Sequence, residues 1–119
     1  MMDWMFWLGV AQALASAAFM LTGAGLVLAG AIGVIRLPDF YTRMHAAGVT
    51  DTLGAELVIM GLIIQSGFTL VSVKLAILGL IVFLTSPTST HAVANAAYRS
   101  GLKPLLRRWR SDETREEAQ

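Results

Sequence analysis

Residues 4–35 run for 32 positions without one charged side chain. Two further apolar stretches follow, residues 57–73 and 75–98, separated only by Lys74. Polarity returns in three places: residues 36–56, Lys74, and everything from Arg99 onward. An α-helix rises about 1.5 Å per residue, so about 20 residues cross a hydrocarbon core of about 30 Å. The pattern predicts an all-α integral membrane protein with three transmembrane helices, at about residues 12–35, 52–67 and 68–90. Residues 1–98 form one membrane domain, and residues 99–119 a short polar, basic tail, helical at first and frayed beyond Ser111.

Local punctuation sets the expected boundaries. Trp4 and Trp7 suit one membrane interface as aromatic anchors. Ala13-Leu14-Ala15 and Ala15-Ser16-Ala17 look like cleavage sites, but Asp3 precedes them and no Lys or Arg occurs before Arg36. The first apolar run therefore reads as a retained helix. Gly25, Ala29 and Gly33 recur every four residues and line one helical face with small side chains, a device for close helix approach. Pro38 disfavours the α conformation at Leu37 and suits the first position of a new helix. Residues 40–47 read as a short interfacial helix broken at Gly48, with Thr50 or Asp51 capping the second span. Gln65-Ser66-Gly67 is a tight connection, making spans two and three antiparallel neighbours.

Composition narrows the function. The chain is 55% hydrophobic and 14% charged, against about 25% charged in soluble domains. It has no cysteine and two histidines, so neither a disulfide nor a metal site is expected. It has no glycine-rich phosphate loop and no nucleophile with a paired base, so it reads as no enzyme, with no cofactor. The arginine-rich tail suits anionic lipid headgroups and not nucleic acid. Arg36 and Arg43 lie in the first connection, and Arg99, Lys103, Arg107, Arg108 and Arg110 in the tail. Three spans put both regions on one side, so the N-terminus is expected outside and the C-terminus in the cytoplasm.

Charged and polar groups within spans are the candidate chemistry. Counting along the spans puts Glu56 about one turn from the cytoplasmic end and Lys74 more than one turn from the external end. That separates them by about 15–20 Å in depth, too far to pair within one chain. Each either snorkels to its own interface or meets a neighbour. Pro87 sits in Thr85-Ser86-Pro87-Thr88-Ser89-Thr90 and removes the amide that would bond to the Phe83 carbonyl. The surrounding hydroxyls are expected to satisfy that carbonyl, near the cytoplasmic face and at a depth comparable with Glu56. A simple kink near the interface is the alternative. Arg36, Asp39, Arg43, His45 and Asp51 mix both signs at close spacing, as a solvated loop also does.

The ordered run Gly33-Val34-Ile35-Arg36-Leu37-Pro38-Asp39-Phe40-Tyr41-Thr42-Arg43-Met44-His45-Ala46-Ala47, then Thr50-Asp51-Thr52-Leu53-Gly54, is specific. It resembles the signature of the small G subunit of multisubunit Mrp-type (Mnh, Pha) monovalent cation/proton antiporters. Thr85-Ser86-Pro87, His91-Ala92 and Asn95-Ala96-Ala97 resemble the same family's third span. The resemblance implies a bacterial inner (cytoplasmic) membrane complex of several different subunits that exchanges Na+ or K+ for H+ and supports pH homeostasis. It further implies an accessory role, needed for assembly and inactive alone, with the other antiporter subunits and membrane lipids as partners. Within that frame Arg36, Pro38, Asp39, Arg43, His45, Asp51 and Thr52 form the expected subunit-contact loop. Glu56, Lys74, Thr85, Ser86 and Pro87 form the candidate ion path or polar patch. A holin-like pore former has a similar topology, and a structural subunit of another membrane complex is a third reading.

Overall fold

The computed structural model describes residues 2–102, 104 and 115–118. Helix α1 covers Met2–Arg36, with Asp3 in its first turn and Arg36 in its last. Both charges oppose the partial charge of the helix end they occupy. Helix α2 covers Phe40–Val49, a π-helical turn covers Thr50–Gly54, α3 covers Ala55–Ser66, and α4 covers Leu70–Arg99. Three helical segments are long and apolar enough to cross a membrane: Asp3–Arg36, Phe40–Ser66 and Leu70–Arg99. The chain is a multi-pass membrane protein.

The second segment departs from its sequence-based reading. Helix α2, the π turn and α3 run on as one helix of 27 residues, so span two begins at Phe40 and not at about residue 52. Gly48 does not end it; glycine inside a helix costs only about 1 kcal/mol relative to alanine. Neither Thr50 nor Asp51 is an N-cap, and Thr50 has helical dihedrals, φ −63° and ψ −51°. The cap is Asp39, in extended conformation, which leaves Pro38 before the helix and not at its first position. The threonine hydroxyls instead bond backward, Thr50 to the Ala46 carbonyl at 3.2 Å and Thr52 to the Gly48 carbonyl at 2.6 Å. The amide of Ala55 reaches the Thr50 carbonyl five residues back, which is the widened turn.

Helix α4 likewise continues through Pro87 to Arg99, beyond the expected end at about residue 90. The α3–α4 connection is tight, as the sequence suggests. Gly67 closes it at φ 63° and ψ −153°, a region essentially restricted to glycine. The Ser72 hydroxyl donates to the Gly67 carbonyl, and the Thr69 carbonyl accepts from the Ser72 amide at 3.1 Å. Gly67→Ala is expected to destabilise the α3–α4 hairpin by about 1–3 kcal/mol through backbone strain. A lowered melting temperature of the detergent-solubilised protein reports it; an unchanged one refutes it.

The helices form an open array. Helix α1 packs on α2, the π turn and α3, and α4 packs on the other side of that long helix, with no contact between α1 and α4. Among the described residues only Ser16, Gly23, Gly30, Gly54, Gly61, Gly79 and Ala97 are buried. Every one is small, so burial here means close helix approach and not a core of large side chains. An array of this shape encloses no interior. Any route for an ion has to be completed by other chains.

Candidate functional site

Two polar bonds and a row of glycines build the α1–α3 seam. A Cβ on Gly23 would stand 2.8 Å from the Gly54 carbonyl oxygen, and one on Gly61 2.9 Å from the Ser16 carbonyl oxygen. A Cβ on Gly30 would stand 2.8 Å from the Ala46 carbonyl oxygen. Ser16, Gly23 and Gly30 recur every seven residues, as do Gly54 and Gly61, the spacing of a left-handed helix pair. The Ser16 hydroxyl donates to the Gly61 carbonyl at 3.0 Å, and Gln12 Nε2 to the Ile64 carbonyl at 2.6 Å. Ser16→Ala is expected to destabilise this seam by about 0.6 kcal/mol, a typical value for such bonds in membranes. Thermal melting against the wild-type subunit would detect the loss.

The row of three small residues singled out from the sequence divides. Gly33 belongs to the seam, where a Cβ would meet that of Ala46 at 2.9 Å. Gly25 and Ala29 are exposed, and a Cβ on Gly25 would meet nothing within 4 Å. They are free for another chain.

Glu56 lies deeper than span counting suggests. It stands between Gly54 and Val58, both of which close on Gly23, well inside the uncharged stretch of α1. Its carboxyl group rests on α4, where Oε2 would be 3.0 Å from a Cβ on Gly79. Oε1 is buried and has no hydrogen-bond partner. Lys74 precedes Gly79 by five residues, about 7.5 Å along α4. The expected depth separation of about 15–20 Å from Glu56 is therefore too large. The long helix starting at Phe40 carries Glu56 inward, while the tight turn at Gly67 brings α4 straight back beside it. The two still make no ion pair; Lys74 is exposed, and helical side chains lean toward the N-terminus, away from Gly79.

Beyond Glu56 the two helices hold two adjoining clefts. One, of about 370 Å³, is lined by Asp51, Ala55, Val82, Thr85, Ser86 and Ser89 among others. The other, of about 300 Å³, brings together His45, Thr52, Ser86, Pro87, Thr90 and His91. Ser86 borders both. Between them the clefts gather Asp51, Thr85 and Ser86 with His45, Thr52 and Pro87, while Glu56 lines neither. The hydroxyls are committed differently than expected. Thr88 bonds to the Leu84 carbonyl at 3.1 Å and Thr90 to that of Ser86 at 3.0 Å, neither to Phe83.

The loop residues sit at one end of the molecule. Arg43 Nε donates to the Leu37 carbonyl at 2.6 Å, and the Asp39 carbonyl accepts from the Thr42 hydroxyl at 2.8 Å. Tyr41 donates to the Leu102 carbonyl at 2.7 Å, which brings Arg36, Arg43 and Arg99 to the same end. Among the described residues Arg36, Asp39, Arg43 and Asp51 make no ion pair.

Sequence reading gave no role to Gln12, Ser16, Gly23, Gly30, Gly61 and Gly79, and named Gly54, Ser89, Thr90 and His91 only within longer motifs. The seven-residue recurrence of the small residues was a usable signal. The notch at Gly79 and the meeting of His45 with His91 had none, because both depend on how α4 lies against the long helix.

This arrangement defines a class: a small multi-pass membrane subunit, open on its sides, with a half-buried glutamate and a charged loop that makes no ion pair among the described residues. A Na+/H+ antiporter subunit family model, PhaG_MnhG_YufB, matches residues 19–98. The chain belongs to that family. A UPF0091 protein of Pyrococcus horikoshii is 39% identical over 88 residues, which cover 74% of this chain and 85% of that protein. A Staphylococcus aureus protein that carries the name antiporter subunit mnhG2 is 38% identical, over 74% of this chain and 62% of its own length. Among solved structures, a chain of the Mrp complex from Dietzia sp. DQ12-45-1b superposes with a TM-score of 0.72 at 30% identity, covering 81% of this chain and 86% of that one. A chain of the membrane-bound sulfane sulfur reductase, an archaeal respiratory membrane complex, gives 0.69 at 36% identity, covering 76% and 84%.

Proposed function

We propose that this chain is an accessory subunit of a hetero-oligomeric monovalent cation/proton antiporter in a bacterial inner membrane, required for assembly and inactive alone. The observation that carries this reading is the open array itself: a family member whose α1 and α4 never touch has no enclosed path of its own. Its contribution is contact and electrostatics, without bond chemistry. The end holding Arg36, Arg43 and Arg99 faces the cytoplasm under the positive-inside rule, and the N-terminus faces outward. There Arg36, Pro38, Asp39, Arg43, His45, Asp51 and Thr52 hold the adjacent subunits, the charged ones through charge-assisted hydrogen bonds. Exposed Gly25 and Ala29 admit a neighbouring helix closely. The patch around Thr85, Ser86 and Pro87, with Glu56 and Lys74, lies beside the cation route.

Tagging the tail, solubilising in mild detergent and identifying the recovered chains by mass spectrometry tests this. Recovery of large many-span subunits, together with loss of Na+/H+ exchange in vesicles lacking this chain, is the expected result. Recovery of the chain alone would refute it. A second reading, structural subunit of a respiratory complex, is favoured by the likeness to the sulfane sulfur reductase chain. Redox subunits in the same pull-down would select it.

A further inference from the structure

We infer that the α3–α4 seam at Glu56 and Gly79 receives a basic side chain, lysine or arginine, from a transmembrane helix of a neighbouring subunit. The inference rests on the chain being a subunit, and names what this face binds. Glu56 is the observation that demands a partner. Its side chain is half-buried, and neither carboxyl oxygen has a hydrogen-bond partner among the described residues, in a segment flanked by apolar residues. An ionisable group placed so pairs with another group or lines a polar cavity. Within the described residues no cation fills the role: Lys74 points away, and Arg36, Arg43 and Arg99 lie at the far end.

Part of the Glu56 side chain stays exposed at the side of the seam. Gly79 has no side chain, so the carboxyl group lies directly against α4, and any Cβ there would press on Oε2 at 3.0 Å. The adjoining cleft opens between Ala55 and Val82 and offers Asp51, Thr85 and Ser86 further along. A second negative group and two hydroxyls further along the same seam complement an incoming cation and its stem. They repel an acidic one. A second copy of this chain does not supply the cation: in a two-fold dimer about the membrane normal its Lys74 would stand about 7.5 Å off the depth of Gly79.

The test uses the complex purified through a tag on a large subunit, comparing wild type with Glu56→Gln, Glu56→Asp and Gly79→Ala. Glu56→Gln keeps the shape and removes the charge. It is expected to lower the amount of this chain retained by tenfold or more, with Glu56→Asp retaining more than Glu56→Gln, and Gly79→Ala lowering retention as well. Normal retention of Glu56→Gln with a raised KM for Na+ would make Glu56 a ligand of the transported cation and overturn the inference. Normal retention with normal exchange would overturn it too. If wild type itself fails to co-purify with large subunits, the subunit reading falls first.

Discussion

Replacing Gly61 with valine is expected to force α1 away from α3 and remove the folded subunit from the membrane. A Cβ at this position would sit 2.9 Å from the Ser16 carbonyl oxygen and 3.1 Å from the Met20 amide nitrogen. Both are backbone atoms of α1, so no rotamer change relieves the contact. The helices must separate, and the Ser16–Gly61 hydrogen bond of 3.0 Å goes with them. Overpacking costs about 1–3 kcal/mol where side chains can shift. Here the upper end applies, and about 3 kcal/mol moves the folded-to-unfolded ratio by roughly a hundredfold. Gly25→Val is the matched control, because its Cβ has open space in this chain. Thermal melting and protease resistance of the two variants in detergent should differ sharply. Equal stability of Gly61→Val and wild type would contradict the seam.

Inserting an alanine after Leu53 is expected to be nearly as damaging, although Leu53 is itself exposed. The π turn lets Ala46, Thr50 and Gly54 all face α1, at spacings of four residues that an ordinary helix would carry progressively round its axis. The wide turn has already absorbed one extra residue, so a second one swings α2 by about 100° relative to α3. Ala46 and Thr50 then leave Gly30, His45 leaves the cleft it shares with Pro87 and His91, and Tyr41 loses Leu102. The loop end would detach from α1 and α4 together. The expected result is a chain that still inserts but is recovered with the complex at a tenth of the normal amount or less. Leu53→Ala, which keeps the residue count, should behave close to wild type. Equal recovery of the insertion and the alanine variant would show that the widened turn carries no register.

Which features were legible beforehand follows from the range of the interactions behind them. The 32-residue uncharged run, the glycine at position 67 and the charged motif at residues 33–54 act through local chemistry, and the sequence by itself determined three membrane helices, the tight α3–α4 turn and the family. The break expected at Gly48 failed because helix signals are weak beside tertiary contact. Packing on α1 and the back-bonded hydroxyls of Thr50 and Thr52 hold the helix through it. Only the tertiary structure decided which small residues are seam and which are free: Gly23 and Gly61 meet backbone, while Gly25 meets nothing. Only it placed Glu56 against Gly79 with an unpartnered oxygen, and His45 beside His91. Those placements depend on the rotation and depth of one helix against another, set by contacts between residues far apart in sequence, and no periodicity along a single segment encodes them.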